Sequence, residues 1–270
     1  MPLRLTYLQS HAVPVELKGF APDALRELTL AEIERLTAFV GNQQTPLAEL
    51  FRIEGDAADM QVELTGDLSG VHWIGAKMTA GTIRVEGPAG RHLGSEMQGG
   101  AIHVSGDAGD WAGGEMRGGL IHIRGSAGNL IGAAYRGSRR GMTGGTLLVH
   151  GTVGNEIGHS MRRGLIAVGG CGDFAGINMI AGTILVFGEA GFRTGAGMRR
   201  GTIGLLGDRP PRILPTFRRG ASDKLLIMTL VLRELEQLGY PFSRSLLDAS
   251  YQTYHGDEVT VGRGELLLRA

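Results

Sequence analysis

The chain has 270 residues with 27 basic and 27 acidic side chains, so its formal net charge at pH 7 is zero. That balance excludes a whole-molecule attraction to nucleic acid or to an acidic membrane, and the single cysteine excludes an internal disulfide and a cysteine-based metal cage. Because no apolar run approaches the roughly 18 residues of a membrane span and the N-terminus lacks a signal-peptide core, we expect a soluble, cytoplasmic protein.

The first segment, residues 1–50, is predicted to form a helical cap. Thr29 and Glu32 have the spacing of a capping box, which predicts a helix that continues through Val40 and stops at Gly41. A cap of this kind is needed where a stack of strands would otherwise expose its edge.

Residues 51–207 carry a glycine-rich repeat of about 19 residues, the strongest signal in the sequence. The pattern Ile-x-Val recurs with steps of 19, 19, 26, 19, 18 and 19 residues. Its copies begin at Ile83, Ile102, Ile121, Leu147, Ile166, Ile184 and Ile203. Val62-Glu63-Leu64 and Phe51-Arg52-Ile53 fit as earlier rungs. Glycine and methionine columns keep the same step, and glycine permits the positive φ angles of tight corners.

This periodicity predicts an all-β solenoid, a right-handed parallel β-helix of about eight coils, in which inward Ile and Val stack on their counterparts one coil away. A left-handed hexapeptide helix would show a six-residue sub-period, and the sequence has none.

The last segment, residues 208–270, is predicted to form a linker, a helix and a returning tail. Ser222 can cap a helix over 223–238, and Gly239 can stop it. Short strands are expected in the tail at Val259, Val261 and Leu266–Leu268.

A column of Asx residues follows one set of repeat glycines. Its members are Asp110, Asn129, Asn155 and Asp173. It could be a cation site or a ladder that satisfies backbone amides in turns. The habit of Asn and Asp side chains to bond nearby backbone favours the ladder.

His103 and His122 occupy the same strand position on adjacent rungs, about 5 Å apart in such a stack. A third ligand is missing, which favours outward-facing histidines over a metal site. The same face then becomes apolar, at Leu148, Leu185, Phe187 and Leu206. An apolar outer face must be covered, either by the C-terminal helix or by another protein chain.

A group of arginines is the feature of the sequence that indicates a binding site. The irregular step of 26 residues contains an insert, Tyr135–Gly145, whose arginines fall beside those of later repeats. The set is Arg136, Arg139, Arg140, Arg162, Arg163, Arg199 and Arg200. Guanidinium groups bind carboxylates and phosphates in a bidentate manner, so this edge is a candidate site for an acidic ligand or a partner. The alternative is a solvated edge without ligand.

The sequence shows no nucleophile–base pair, no phosphate-binding loop and no dinucleotide motif, so no catalytic residue is predicted. It does resemble a known family. The Gly-x-x-Gly-x-x-x-Gly coils at Gly87–Gly94, Gly106–Gly113 and Gly125–Gly132 resemble the C-terminal β-helix of glutamate synthase. Together with "RGSRRGMTGG" and the tail "YQTYHGDEVTVGRGELLL" they resemble the C subunit of formylmethanofuran dehydrogenase along essentially the whole chain. The arginine-rich composition resembles more narrowly the C subunits of bacterial formyltransferase/hydrolase complexes.

The resemblance implies a non-catalytic chain that binds no cofactor or metal, assembled with sister A, B and D subunits. Those sisters would transfer a formyl group from formyl-tetrahydromethanopterin to a methanofuran-type carrier and hydrolyse it to formate. The polyglutamate-type tail of such a carrier would suit the arginine column. Three alternatives stay open: the C subunit of an archaeal molybdenum or tungsten dehydrogenase, a structural domain like that of glutamate synthase, and an independent β-helix enzyme.

Overall fold

The computed structural model describes residues 1–209 and 211–270, and the protein is built mostly of β-strands. The strands in this part of the chain are β1 (Leu3–Tyr7), β2 (Val15–Glu16), β3 (Thr37–Val40), β4 (Gln43–Pro46), β5 (Phe51–Glu54), β6 (Gln61–Thr65), β7 (Val71–His72), β8 (Thr82–Glu86), β9 (Ala101–Val104), β10 (Leu120–Ile123), β11 (Thr146–Val153), β12 (Leu165–Cys171), β13 (Thr183–Val186), β14 (Arg200–Leu205), β15 (Arg218–Asp223), β16 (Tyr251–Gly256) and β17 (Arg263–Arg269). The helices are α1 (Pro22–Leu25), α2 (Leu30–Arg35), α3 (Leu47–Leu50) and α4 (Leu226–Gln237), with a 3-10 helix at Arg244–Leu247.

Thirteen strands form one large sheet that is mostly parallel. From β8 to β14 each strand pairs in parallel with the next strand of the chain, and β6 pairs with β8 in the same way. The register places Ile83 opposite Ile102 and Ile102 opposite Ile121, so equivalent positions of successive repeats face each other. Isolated parallel bridges form a second ladder at Leu68, Ala89, Ala108, Ala127 and Val153.

Aliphatic side chains and a column of methionines from successive repeats form one continuous hydrophobic core. Fully buried are Met78, Met97, Met116, Met142, Met161, Met179 and Met198. Glycine is required where the backbone turns close to this core. At Gly132, for example, φ is +63° and a Cβ atom would lie 2.7 Å from Cδ1 of Ile166. Neither the angle nor the space suits a residue with a side chain.

The N-terminal segment is less helical than predicted. The capping box of α2 is present, with the backbone N–H of Thr29 donating to Oε2 of Glu32 at 2.8 Å. The predicted continuation through Val40 is wrong, because the helix ends at Arg35 and β3 begins at Thr37. Threonine, phenylalanine and valine favour strands, and β3 gains antiparallel partners in β2 and β4 that an isolated helix would lack.

Residues 1–50 therefore combine three short helices with strands β1 to β4. The expectation that Phe51-Arg52-Ile53 forms an earlier rung is also wrong. Strand β5 runs antiparallel to β1, and β1 is inserted between β5 and β6. The parallel ladder thus ends in an antiparallel edge.

The C-terminal segment differs in its boundaries. Ser222 lies in β15, which pairs antiparallel with β16, so α4 starts at Leu226 instead of Asp223. The strand prediction is confirmed at Leu266–Leu268 within β17 and is wrong at Val259 and Val261, which lie exposed between β16 and β17. Within residues 1–209 and 211–270, none of the helices has the length and apolar character needed to cross a membrane.

Candidate functional site

The apolar outer face is covered by the chain itself. Leu148, Leu185 and Leu206 are buried in a second hydrophobic cluster. The C-terminal segment contributes Met228, Leu232 and Leu235 from α4, with Tyr240, Leu246 and Tyr251 beyond it. Phe187 is half-buried at the margin of this cluster, 5.1 Å from the ring of Tyr240 between centroids. Of the two covers that the sequence left open, the structure places the C-terminal helix over these residues.

The Asx column forms a backbone ladder. Oδ1 of Asp110 accepts from the N–H of Asn129 at 2.7 Å, and Oδ1 of Asn129 accepts from the N–H of Asn155 at 2.8 Å. Asn155 does the same for Asp173 at 2.8 Å. These oxygens are committed to backbone amides, which fits the structural reading of the column.

A third histidine, His150, lies beside this column, although the residue opposite His122 in the register is Leu148. The Nε2 atoms of His122 and His150 lie 2.7 Å apart, and the rings of His103 and His122 are 6.0 Å apart between centroids. Burial lowers the pKa of all three, that of His122 to about 4, with neighbouring positive groups adding to the effect. In the described part of the chain, no group of three or more His, Cys, Asp or Glu side chains could hold a metal ion.

The arginines, in contrast, line an open concave surface, which we call the basic groove. It has a volume of about 710 Å³, and its charged lining consists of Arg139, Arg140, Arg162 and Arg199. Its other lining residues are Ser160, Asn178, Ile180, Gly197 and Thr260. Arg136, Arg163 and Arg200 are exposed but do not line it.

Backbone hydrogen bonds between repeats place the arginines in the basic groove. The N–H of Arg162 donates to the carbonyl of Met142 at 2.9 Å, and the N–H of Arg199 donates to that of Met179 at 2.8 Å. Each of these arginines directly follows a fully buried methionine, so its Cα is held by the core. The insert supplies the other two arginines from the side.

In the described part of the chain, the arginines that line the basic groove form no ion pairs with carboxylates. Among the described residues, none of the seven predicted arginines forms an ion pair, whereas Arg117 pairs with Glu96 at 3.7 Å. Four guanidinium groups around one concavity create a positive potential that attracts anions. Chemically, the groove can bind carboxylates or phosphates.

The turn between β16 and β17 forms a wall on one side of the basic groove, which the sequence did not predict. Thr260 lies some 60 residues beyond Arg199, in the turn between β16 and β17. Its Oγ1 donates to the carbonyl of Met198 at 2.6 Å, while Oδ2 of Asp257 accepts from the N–H of Gly197 at 2.9 Å. Nothing in the local sequence indicates that this turn returns to the end of the parallel ladder.

Comparison with known proteins identifies the family to which the chain belongs. The family model described as "GXGXG motif" matches residues 52–211, which include the parallel ladder and the basic insert. The C subunit of the Fhc formyltransferase/hydrolase complex of Methylorubrum extorquens (strain AM1) is 53% identical over 256 residues, covering 95% of each chain. The C subunit of the molybdenum-containing formylmethanofuran dehydrogenase 1 of Methanothermobacter thermautotrophicus is 44% identical over 82 residues, 30% of this chain and 20% of that one.

A chain in the crystal structure of the formyltransferase/hydrolase complex (FhcABCD) from Methylorubrum extorquens, in complex with methylofuran, superposes with a TM-score of 0.91. The match has 35% sequence identity and covers 99% of both chains. The chain therefore belongs to the GXGXG motif family and, within it, to the C subunits of formyltransferase/hydrolase complexes, which are related to those of formylmethanofuran dehydrogenases.

Proposed function

We propose that this chain is the non-catalytic C subunit of a formyltransferase/hydrolase complex, assembled with A, B and D subunits. In that complex the sister subunits transfer a formyl group from formyl-tetrahydromethanopterin to a methanofuran-type carrier and release formate. Similarity over 95% of the length of a known C subunit supports this role. The C subunit of the archaeal dehydrogenase aligns over only 82 residues, which favours the formyltransferase/hydrolase type.

The scaffold itself is a right-handed parallel β-helix of about eight coils, with a repeat of about 19 residues. The parallel register of equivalent positions from β6 to β14 and the second ladder of bridges support this architecture. Each coil is stabilised by its neighbours, which produces a long rigid body suited to hold other subunits in place.

The basic groove binds the acidic tail of the carrier. The observation that carries this proposal is the set of four arginines without carboxylate partners around about 710 Å³ of open volume. A tail with several carboxylates can engage several guanidinium groups at once, each by a bidentate pair. Because three of these arginines are exposed and Arg162 is only half-buried, the interaction weakens as salt is added.

Charge reversal of three arginines tests the groove. In the assembled complex, the triple variant Arg139→Glu, Arg140→Glu and Arg162→Glu should raise the KM for the carrier at least about tenfold, since each lost pair contributes roughly 0.5–1 kcal/mol at an exposed site. The kcat should change less, because no groove residue takes part in the chemistry. Assembly is checked by size-exclusion chromatography.

A matched control reverses three exposed arginines outside the groove, Arg26, Arg35 and Arg233. This control should leave the carrier KM unchanged although it shifts the net charge by the same amount. An unchanged KM in the groove variant, with the complex intact, would refute the role of the groove.

A further inference from the structure

Beside the basic insert, four rings from three repeats and the insert stack on one another. We call this set, Trp73, His92, Trp111 and Tyr135, the aromatic ladder. Ring centroids are 4.1 Å apart between Trp73 and His92, and 4.7 Å apart between Trp111 and Tyr135, in both cases with nearly parallel planes. His92 lies 6.3 Å from Trp111 and 5.7 Å from Tyr135. Lys18 closes the outer end, 5.2 Å above the ring of Trp73.

The aromatic ladder is built on strained backbone. Trp73, His92 and Trp111 have φ angles of +65°, +64° and +65°, in the left-handed region that most side chains avoid. Equivalent positions in successive repeats share this conformation, so the rings project from the same edge. The conformation belongs to the repeat itself, because the equivalent positions of later repeats share it: Leu130, Glu156, Phe174 and Arg193.

Tyr135 joins the aromatic ladder from the insert, of which it is the first residue. Its hydroxyl lies 2.8 Å from Nδ1 of His92 and 2.7 Å from Oγ of Ser95, and Ser95 is fully buried. Its backbone N–H donates to Oε1 of Glu115 at 3.0 Å. Burial lowers the pKa of His92 to about 4, so its imidazole is neutral near pH 7 and can share one hydrogen with the tyrosine hydroxyl.

The rest of the insert has few attachments to the body of the protein. Residues 136–140 are exposed, and the bonds within this stretch are local, such as the N–H of Ser138 to the carbonyl of Tyr135 at 2.9 Å. Attachment resumes at Gly141, whose N–H donates to the carbonyl of Ser160 at 2.9 Å. Arg139 and Arg140 thus lie on a short exposed segment held at its start by Tyr135 and at its end by Gly141.

We propose that the aromatic ladder is a positioning device, in which Tyr135 holds the insert so that Arg139 and Arg140 stand across the basic groove from Arg162 and Arg199. Tyr135 is a positioning residue that acts through these arginines. The placement of the insert depends only on this chain; its effect on anion binding rests on the proposed function of the groove. Pre-ordering the two arginines removes part of the entropy that a ligand would otherwise have to overcome.

Three variants test the device. Tyr135→Phe keeps the stack and loses both hydroxyl contacts, and Tyr135→Leu loses both kinds of interaction. Trp111→Leu removes the ring under Tyr135 without changing any residue of the insert. The control is Tyr7→Phe, which removes another tyrosine hydroxyl that lies 2.8 Å from a histidine Nδ1, that of His11, outside the insert.

The first measurement is hydrogen exchange of peptides covering residues 135–145 in the assembled complex. Tyr135→Leu and Trp111→Leu should speed exchange in this segment at least about tenfold, Tyr135→Phe less, and Tyr7→Phe not at all. In the isolated full chain, Trp73 and Trp111 are the only tryptophans, so their fluorescence reports directly on the aromatic ladder. Unchanged exchange of the insert in both the Tyr135→Leu and Trp111→Leu variants would overturn the proposal.

The second measurement is binding of a tetraglutamate peptide to the same complexes. Release of the insert should weaken binding about tenfold, with partial recovery in Tyr135→Phe. If exchange rises while peptide binding is unchanged, the positioning role stands and the anion-binding role of the groove falls.

Should the leucine variants destabilise the whole chain, Gly114→Ala supplies a milder perturbation. A Cβ atom there would lie 3.0 Å from the hydroxyl oxygen of Tyr135 and 3.2 Å from its Cζ. It displaces the ring by a few tenths of an ångström and should produce the same changes on a smaller scale. Normal exchange in the folded Gly114→Ala complex, together with a shifted tryptophan spectrum of the isolated chain, would count against the proposal.

Discussion

Because α4 covers the apolar face, two of its leucines should contribute very differently to the free energy of unfolding. Leu232 is fully buried in the cluster that contains Leu148 and Leu185, whereas Leu230 on the same helix is 53% exposed. Leu232→Ala removes a buried side chain and leaves a cavity, so it should lower the free energy of unfolding by about 3 kcal/mol. Leu230→Ala removes the same atoms from a largely solvated position and should change it by less than about 0.5 kcal/mol.

The assay is equilibrium unfolding in urea, followed by far-UV circular dichroism for the sheet and by hydrogen exchange for α4 and its surroundings. The helix propensities of the two substitutions are identical, which leaves burial as the difference. Exchange in α4 should rise more than in the β8–β10 part of the sheet, because repeats are stabilised mainly by their neighbours. Equal losses in the two variants would refute the packing of α4 on the sheet.

Three further predictions concern single columns of the fold. Because burial lowers the pKa of His122 to about 4 in the folded protein, the unfolded chain binds more protons below pH 6.5, so the free energy of unfolding should fall as the pH drops from 6.5 to 4; His122→Gln should reduce this slope in pH-dependent urea titrations. Asn155→Ala removes the acceptor for a backbone N–H of the next repeat and should cost about 1 kcal/mol in urea unfolding, whereas Asn155→Asp retains it and should cost less. Gly132→Ala meets a left-handed φ and a crowded core and should lower stability by about 2–4 kcal/mol, while Gly70→Ala, with open space around it, should be nearly neutral in the same assay.

A different result would contradict each of these three predictions. A pH dependence that His122→Gln leaves unchanged would assign it to other groups. Equal costs for the two Asn155 variants would mean that the side-chain oxygen does not support the next repeat. A neutral Gly132→Ala would show that the corner has more room than its distance to the core implies.

The sequence by itself determined the parallel ladder, and the reason is local and repetitive. Equivalent positions recur at a nearly constant step, so one choice of register satisfies every repeat from Ile83 to Ile203 at once. The Asx ladder follows for the same reason, since Asn and Asp bond the amide that the same register brings beside them. The Thr29 capping box could also be predicted from the sequence. The length of its helix could not, because β3 forms by pairing with β2, a strand from an earlier part of the chain.

Only the tertiary structure decided what surrounds the arginines. The repeat pattern predicted that Arg162 and Arg199 share one edge, but the wall at Thr260 and the anchoring of Tyr135 depend on contacts over 62 and 40 residues of chain. Such contacts leave no periodic trace, because each forms once, between segments with different sequences. In the sequence, the insert therefore appeared only as an interruption of the repeat. In the structure, it forms one side of the basic groove, and its first residue, Tyr135, packs into a stack of rings.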